Sequence, residues 1–323
     1  MRCIPIAALL ALCAFAALPA IVSAQAFPTK PIRIIVPFPP GAFNDTLGRT
    51  IAQKFSDGGI GQAVVDNRPG AGSTLGADLA AKSTPDGHTL LIVAVPFAVN
   101  ATLYTKLPYN TERDFIPVIF AGSTPNLLVI HPSMPIRTVR ELIAMAKAKP
   151  GQLNYASTGS GSSNHMSMEL FKMMTQTDIV HIPFKGSAPA LTDLMGGHVM
   201  MIFDNMPNVL PHVKGGKLRG LAVTSLQRSA LAQEIPTVDE SGVPGYEVSV
   251  WFGVVGPAGI PREILTRLNA EINKILQMND VRERFQAGGV DPAGGGAEKF
   301  GEHLKAEIAK WGKVVKEAGV KVE

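Results

Sequence analysis

Short apolar runs alternate with amphipathic segments along most of the chain, and this alternation limits the possible folds more than any other feature. The apolar runs are typical of buried strands, which we predict over residues 32–38, 63–66, 89–95, 127–130, 153–157, 179–184, 199–203, 218–224 and 250–255. The segments between them predict helices over residues 46–55, 73–82, 139–149, 165–174 and 188–194. This order of elements predicts an α/β protein with mainly parallel sheets.

Beyond residue 260 the chain becomes helical and charged. Apolar residues recur there at helical spacing in two stripes, Ile264, Leu268, Ile272, Ile275 and Leu276, then Phe300, Leu304, Ile308, Trp311 and Val315. Pro261 suits a first helical turn, and the pair Gly288-Gly289 is expected to end the first helix. We expect both stripes to be buried against a sheet.

The first 26 residues have the pattern of a secretory signal. Arg2 supplies the basic start, residues 4–22 are apolar, and small residues allow cleavage after Ala24 or Ala26. A retained membrane anchor is the alternative, but the prolines within the apolar run and its small-residue end favour cleavage. The sequence therefore predicts an exported protein, and the remaining chain of about 297 residues is long enough for two domains.

Charge and cysteine content exclude several classes of function. Both cysteines, Cys3 and Cys13, lie in the predicted signal, so the exported chain can form neither a disulfide nor a thiolate metal site. The 30 basic and 26 acidic residues give a net charge of +4 without a basic run or an interleaved aromatic stripe. Nucleic acid is therefore not an expected partner, whereas a small acidic ligand is compatible with this charge.

Catalytic and metal-binding motifs are missing from the sequence. It contains no Gly-x-Ser-x-Gly elbow, no His-Glu-x-x-His and no Walker A loop. His165 and Glu169 stand four residues apart, which is a weak signal for a metal site, because a solvated or capping pair explains it equally well. We therefore predict neither a cofactor nor a metal, and a protein that is not an enzyme.

Glycine-, proline- and serine-rich loops follow four of the predicted strands, over residues 37–45, 67–73, 157–164 and 184–187. Ligands of open α/β sheets bind outside the carboxyl ends of the strands, where these loops are expected. Backbone N–H groups at helix starts, together with short hydroxyls, can hold a carboxylate without a formal counter-charge. For the loop 157–164 alone, a plain turn capped by Ser163 or Asn164 is an equally good interpretation.

Ordered motifs run along nearly the whole exported chain. They include residues 27–41, Asn67-Arg68-Pro69-Gly70-Ala71-Gly72, Pro85-Asp86-Gly87-His88-Thr89, Leu153-Asn154-Tyr155-Ala156-Ser157, His181-Ile182-Pro183-Phe184-Lys185-Gly186-Ser187, Phe203-Asp204-Asn205 and Pro257-Ala258-Gly259-Ile260-Pro261. Together these motifs resemble the Bug (TctC-type) extracytoplasmic solute receptors of tripartite tricarboxylate transporters. The resemblance implies a type II periplasmic binding protein fold, in which two α/β lobes close on a ligand in the cleft between them. Residues 27–127 plus 251–323 would form lobe 1, and residues 128–250 would form lobe 2.

The resemblance also implies the ligand-binding residues. Lobe 1 would contribute Gly41, Ala42, Phe43, Asp45, Gly72, Ser73 and Phe97, the last from a turn over residues 96–99. Lobe 2 would contribute Ser157, Thr158, Gly159, Ser160, Lys185, Gly186, Ser187 and Asp204. Each ligand carboxylate would be held mainly by backbone N–H groups, hydroxyls and trapped water.

Three charged residues in this set have alternative roles. Asp45 and Asp204 would repel an anionic ligand in a dry cleft, so we expect each to cap a helix, orient a loop, or bind an amino group or water. Capping is the favoured role of Asp45. Lys185 can supply a counter-charge, or it can extend into solvent past Phe184.

Two aromatic residues depart from the family pattern. Phe43 stands where a small residue is common, beside Ala42 in place of a second glycine, and Phe97 stands where a small polar residue is frequent. We hypothesise that these rings narrow the pocket or stack on a ligand ring, which would favour an aromatic or bulky acid over citrate. The alternative is that one or both rings point into the core.

The resemblance implies a monomeric periplasmic protein that delivers a small carboxylic acid to integral membrane transporter subunits. Ligand that contacts both lobes would stabilise a closed form, which the membrane partner would recognise. A receptor that presents its closed form to a signalling sensor is one alternative. An enzyme built on a binding-protein fold is another.

Overall fold

The computed structural model describes residues 27–322. The predicted signal, residues 1–26 with both cysteines, lies outside the described residues. Within the described part the strands are β1 (Ile32–Val36), β2 (Ala63–Asn67), β3 (Thr89–Ala94), β4 (Phe115–Ile130), β5 (Leu153–Ser157), β6 (Ile179–Pro183), β7 (Met201–Asn205), β8 (Arg219–Val223), β9 (Ser249–Pro257) and β10 (Asp291–Pro292).

In the described part, helices alternate with the strands as far as β8, and beyond β9 the chain is mainly helical. The helices are α1 (Phe43–Ser56), α2 (Thr74–Ala81), α3 (Val95–Leu103), α4 (Val139–Ala148), α5 (Ser163–Thr175), α6 (Ser187–Met195), α7 (Met206–Lys214), α8 (Arg262–Gln277), α9 (Asn279–Ala287) and α10 (Ala297–Glu317). A short 3₁₀ turn, Ala71–Ser73, precedes α2. None of the helices between residues 27 and 322 is long and apolar enough to cross a membrane.

Two sets of parallel strands are joined by two long antiparallel strands. β1 pairs in parallel with β2 and β3, and β5 pairs in parallel with β6 and β7. β9 runs antiparallel to both β3 and β4, and the last five residues of β4 run antiparallel to β7. β4 therefore belongs to both halves of one continuous sheet.

The sequence-based prediction of mainly parallel sheets is only half right. The outer strands are parallel, but every pair that involves β4 or β9 is antiparallel. β4 begins at Phe115, twelve residues before the predicted strand at 127–130. The first part of β4 contains Pro117, Gly122 and Pro125, residue types that argue against a strand in a sequence, so this part was not predicted. The register of the pairing between β4 and β9 shifts near Pro117 and near Gly122.

Proline also explains two helices that differ from the prediction. The predicted turn at 96–99 is in fact the first part of α3, with Pro96 in its first turn, where a proline needs no N–H partner. α7 was not predicted, because Pro207 and Pro211 read as breakers, although Pro207 lies in its first turn. At the C-terminus the predicted long helix is divided at Met278 into α8 and α9, whereas α10 carries the second stripe as expected.

The core contains an indole pair that shares one carboxylate. Trp251 of β9 and Trp311 of α10 each donate Nε1–H to Glu307 Oε2 at 2.7 Å. Both indoles are fully buried, so each N–H needs such an acceptor. Beside them Phe300, also buried, lies over Gly253 of β9, where the absence of a side chain leaves room for the ring.

We predict that Gly253→Ala destabilises the fold by ~1–3 kcal/mol, the range of an overpacked core. The new Cβ would lie 2.7 Å from Phe300 Cε1 and 2.9 Å from Cε2, and the buried ring cannot move away freely. Gly301→Ala is the matched control, because its Cβ would meet only Pro117 at 3.4 Å and alanine favours the helix. Urea denaturation measures both, and equal stability of the two variants would contradict the prediction.

Candidate functional site

The register of β4 brings the carboxyl ends of both parallel strand sets to one place. Ala94, which ends β3, lies opposite Phe252 of β9, and Phe252 lies opposite Gly122 of β4. Asn205, which ends β7, lies opposite Asn126, four residues further along β4. The two parallel sets run in opposite directions, so their carboxyl ends face each other across the middle of β4.

A cleft of about 480 Å³ lies between these strand ends. One wall consists of residues at or just after the ends of β1, β2 and β3, and the other consists of residues at or just after the ends of β5, β6 and β7. Val250 and Phe252 of β9 also line it. This volume is in the ordinary range of small-molecule sites.

Six helices begin at the edge of this cleft: α1, α2 with its 3₁₀ turn, α3, α5, α6 and α7. Among them only α5 has a side-chain cap, since Ser162 Oγ accepts the His165 N–H at 3.3 Å. The N-cap residues of the others accept no N–H with their side chains. First-turn N–H groups have no partner within their own helix, so those remaining at this cleft form an anion-binding environment.

Asp45 organises the first loop of the cleft. Its carboxylate accepts the Gly41 N–H at 3.1 Å, Asn67 Nδ2 at 2.9 Å and Arg49 Nε at 2.9 Å. Burial alone raises the pKa of Asp45, but these hydrogen bonds, Arg49 first, hold it below its usual value. Asp45 thus orients the loop after β1, one of the expected roles, whereas the N-cap of α1 is Ala42.

The second loop, residues 70–73, is held in a left-handed conformation. Ala71 and Ser73 have φ of 46° and 77°, values that non-glycine residues rarely adopt. Asn100 Nδ2 donates to the Gly72 carbonyl at 2.8 Å, and the Tyr104 hydroxyl donates to the Ala71 carbonyl at 3.0 Å. Asn100 and Tyr104 do not line the cleft, so these hydrogen bonds hold the loop in its left-handed conformation from outside the lining.

Two stacked histidines support the serine-glycine loop of the opposite wall. The rings of His165 and His181 are parallel to within 5°, with centroids 4.0 Å apart. His181 Nε2 lies 2.6 Å from Ser157 Oγ, which also accepts the Gly159 N–H at 3.1 Å. His165 Nδ1 accepts the Gly161 N–H at 3.1 Å. Ser157 is fully buried, so it supports the loop and is not available as a nucleophile.

Asp204, at the end of β7, ties three helix starts together. Its Oδ1 accepts hydrogen bonds from Asn164 at 2.9 Å, Ser187 at 3.1 Å and the Asn205 N–H at 2.7 Å. Asn208 Nδ2 lies 3.3 Å from the same oxygen. Burial raises the pKa of Asp204 above the usual aspartate range, although these hydrogen bonds act in the opposite direction.

The structure brings nine of the predicted ligand-binding residues to the lining of the cleft: Ala42, Gly72, Ser73, Thr158, Ser160, Lys185, Gly186, Ser187 and Asp204. Gly41, Asp45, Ser157 and Gly159 lie outside the lining and belong to the networks that hold its loops. Lys185 is exposed.

Phe43 and Phe97, the two aromatic residues that depart from the family pattern, both pack against other aromatic rings. The Phe43 ring lies 4.5 Å from Phe252 and 4.9 Å from Phe285, measured between centroids. Phe97 is 3% exposed and packs 5.0 Å from Phe115. Neither ring lines the cleft, although Phe252, which contacts the Phe43 ring, does.

Sequence reasoning missed several lining residues, notably Asn205, Asn208, Val250 and Phe252. Asn205 and Asn208 belong to the start of α7, a helix that was not predicted because of its prolines. Phe252 and Val250 lie inside a correctly predicted strand, but only the register of β9 shows which of its residues reach the cleft. The polar dipeptide Asp204-Asn205, directly after a predicted strand, is the sequence feature that could have indicated this part of the site.

The His165–Glu169 pair does not have the geometry of a metal site. His165 Nε2 lies 3.9 Å from Glu169 Oε1, which is bound by the Tyr155 hydroxyl at 2.6 Å and Lys172 Nζ at 2.7 Å. Within residues 27–322 no group of three histidine, cysteine or acidic side chains is placed to hold a metal ion.

The family of the chain follows from its similarity to known proteins. The model of the tripartite tricarboxylate transporter family receptor, TctC, matches residues 47–320. The chain belongs to the TctC receptor family. It is 41% identical over 313 residues to Protein BugT of Bordetella pertussis, an alignment that covers 96% of each protein. The predicted Bug/TctC relationship is therefore confirmed.

Solved structures agree with this assignment. Rpa4515 of R. palustris, solved with adipate, has a TM-score of 0.82 and 38% identity, covering 92% of this chain and 100% of its own. The periplasmic binding protein BugD has a TM-score of 0.80 and 28% identity over the same shares. These matches confirm the type II periplasmic binding protein fold, with two α/β lobes and a cleft between them. This TctC receptor thus has solute-binding proteins, not enzymes, as its relatives.

We predict that His165 makes this receptor less stable as the pH falls from about 6.5 to about 3. Burial, then the neighbouring His181 and Lys172, lowers the pKa of His165 to about 3. The unfolded chain therefore binds a proton in this range that the folded chain does not, at a cost approaching ~1.4 kcal/mol per pH unit. Protonation would also remove the acceptor of the Gly161 N–H.

Denaturant unfolding at several pH values tests this prediction. His165→Asn keeps an acceptor close to the position of Nδ1 but does not titrate, so its stability should depend less steeply on pH. His198→Asn, at an exposed histidine, is the control and should behave as the parent protein. Equal pH dependence of the parent and His165→Asn would contradict the assignment.

Proposed function

We propose that this protein is a monomeric periplasmic receptor that captures a small carboxylated solute in the cleft and delivers it to integral membrane subunits of a tripartite tricarboxylate transporter. The observation that carries the proposal is the convergence of six helix starts on one cleft, five of them without a side-chain cap. Such a cleft binds an anion through neutral donors. The family relationship and the adipate complex of the relative Rpa4515 support the same chemistry.

The ligand we propose is a small aliphatic carboxylate. The lining combines polar loop residues with Pro37, Pro39, Pro40, Pro69 and Phe252, so it offers apolar surface to a hydrocarbon segment as well as donors to a carboxylate. We do not propose an aromatic ligand, because that hypothesis depended on Phe43 and Phe97 as ligand-binding rings. Both rings instead pack against other aromatic side chains, those of Phe252, Phe285 and Phe115.

We propose that binding closes two lobes around the ligand. Lobe 1 would hold residues 27–127 and 251–323, and lobe 2 would hold residues 128–250. Ligand that touches loops of both walls stabilises the closed form by its higher affinity for that form. The membrane subunits would then recognise the closed form.

We predict that at least one small dicarboxylate raises the thermal transition of the purified exported protein. Ligand at ~100 times its Kd should add about 2.7 kcal/mol to the free energy of unfolding. Adipate and malate, with the tricarboxylate citrate beside them, are the probes; the corresponding full amides, two diamides and a triamide, lack the negative charges and should have no effect. Calorimetry then gives the affinity of each acid that binds.

A blocking variant connects binding to transport. Ser160→Trp places an indole in the cleft and should abolish binding, whereas Thr84→Trp, at an exposed turn outside the cleft, should bind normally. Cells that lack the receptor should lose uptake of the bound acid, and only Thr84→Trp should restore it. Binding without any loss of uptake would favour a signalling receptor, and a failure of every acid to bind would contradict the proposal.

A further inference from the structure

The two carboxylate oxygens of Asp204 have very different surroundings. Oδ1 is within hydrogen-bonding distance of four donors, from Asn164, Ser187, Asn205 and Asn208. Oδ2 is buried and has no hydrogen-bond partner. Asp204 is only 1% exposed and nevertheless lines the cleft. A buried acceptor without a partner is costly, so it points to a group that is supplied when the site is in use.

Few charges are close enough to compensate Asp204. In the described part of the chain, Asp204 and Lys185 are the only ionisable side chains that line the cleft, and Lys185 is exposed. The side chains that face Asp204 from α5, α6 and α7 are those of Asn164, Ser187 and Asn208, all of them neutral. Its partner across the sheet, Leu127 of β4, is apolar. On the opposite wall, the charge of Asp45 is paired with Arg49.

A ligand carboxylate in this cleft would meet a second negative charge. Two like charges 4 Å apart repel by ~4 kcal/mol even at an effective dielectric constant near 20. Two carboxyl groups that share a site avoid this cost when one of them holds a proton. The unpartnered Oδ2 is the oxygen of Asp204 that is free to carry it.

We propose that Asp204 binds the ligand as a carboxylic acid, with a proton on Oδ2 that is donated in a hydrogen bond to a ligand carboxylate oxygen. This inference rests on the proposed function. The proton comes from water as the complex forms, so one proton is taken up per ligand bound and no covalent bond is made or broken. Asp204 would then be a specificity residue, since it selects an acceptor where an ionised aspartate would select a donor.

Calorimetry with adipate, or with another acid that binds, tests the proposal in two buffers of different ionisation enthalpy. We expect the Kd to rise with pH, approaching tenfold per unit, at pH values above the range in which free carboxylic acids titrate. Proton uptake should appear in the same range. Asp204→Asn retains an acceptor for the four donors and places an amide N–H at Oδ2, so it should bind within a few-fold of the parent protein, independently of pH.

Two further variants make the result decisive. Asp204→Ala, which has neither acceptor nor donor, should lose at least tenfold in affinity. Asp57→Asn, at an exposed carboxylate outside the cleft, should match the parent protein in affinity and in proton uptake. Binding without proton uptake, or a loss of affinity in Asp204→Asn as large as in Asp204→Ala, would overturn the proposal and leave the receptor function intact. If no acid binds the parent protein, the receptor function itself fails.

Discussion

The antiparallel pairing of β4 with β7 is the constraint on which the rest of the structure depends. β1, β2 and β3 run in the direction of β4, whereas β5, β6 and β7 run against it. If all six ran in one direction, their carboxyl ends would lie along one edge of a sheet. Because the direction reverses, two edges face each other, and the helix starts that follow the strands meet across a cleft. The anion-binding character of the site is thus a consequence of sheet topology before it depends on any single side chain.

Buried polar groups behind the cleft keep the loops in position. Asp45 fixes the Gly41 N–H, His165 fixes the Gly161 N–H, and Ser157 fixes the Gly159 N–H with His181 behind it. Each of these groups satisfies a backbone or side-chain partner and therefore avoids the cost of an unpaired buried group. Loops of glycine and serine are intrinsically flexible, so such anchors convert them into a preorganised surface.

Elements with a clear local sequence pattern could be predicted from the sequence. Elements that are determined by contacts with distant parts of the chain could not. Strands such as β5, and the loops after it, were recognisable because an apolar run ends in a cluster of serine and glycine. β4, α3 and α7 were misjudged because Pro96, Pro117 and Pro207 read as breakers, although two begin helices and the third lies at a register shift. Phe43 and Phe97 illustrate the limit most clearly. Their position in the sequence placed them beside the cleft, but their direction depends on the rings of Phe252, Phe285 and Phe115, which come from distant parts of the chain.

A receptor that must pass on its ligand benefits from holding an anion with neutral donors. A buried arginine–carboxylate pair would bind strongly, but separating it leaves an unpaired charge in a dry site, which costs several kcal/mol. Hydrogen bonds from helix starts to a carboxylate contribute ~1.5–3 kcal/mol each and are lost one at a time as the walls separate. A proton shared with Asp204 has the same property, because it returns to water when the ligand leaves and Asp204 again becomes an anion that repels the departing carboxylate. In the proposed receptor, opening of the cleft would therefore release the ligand one contact after another, without a strong ion pair that delays release.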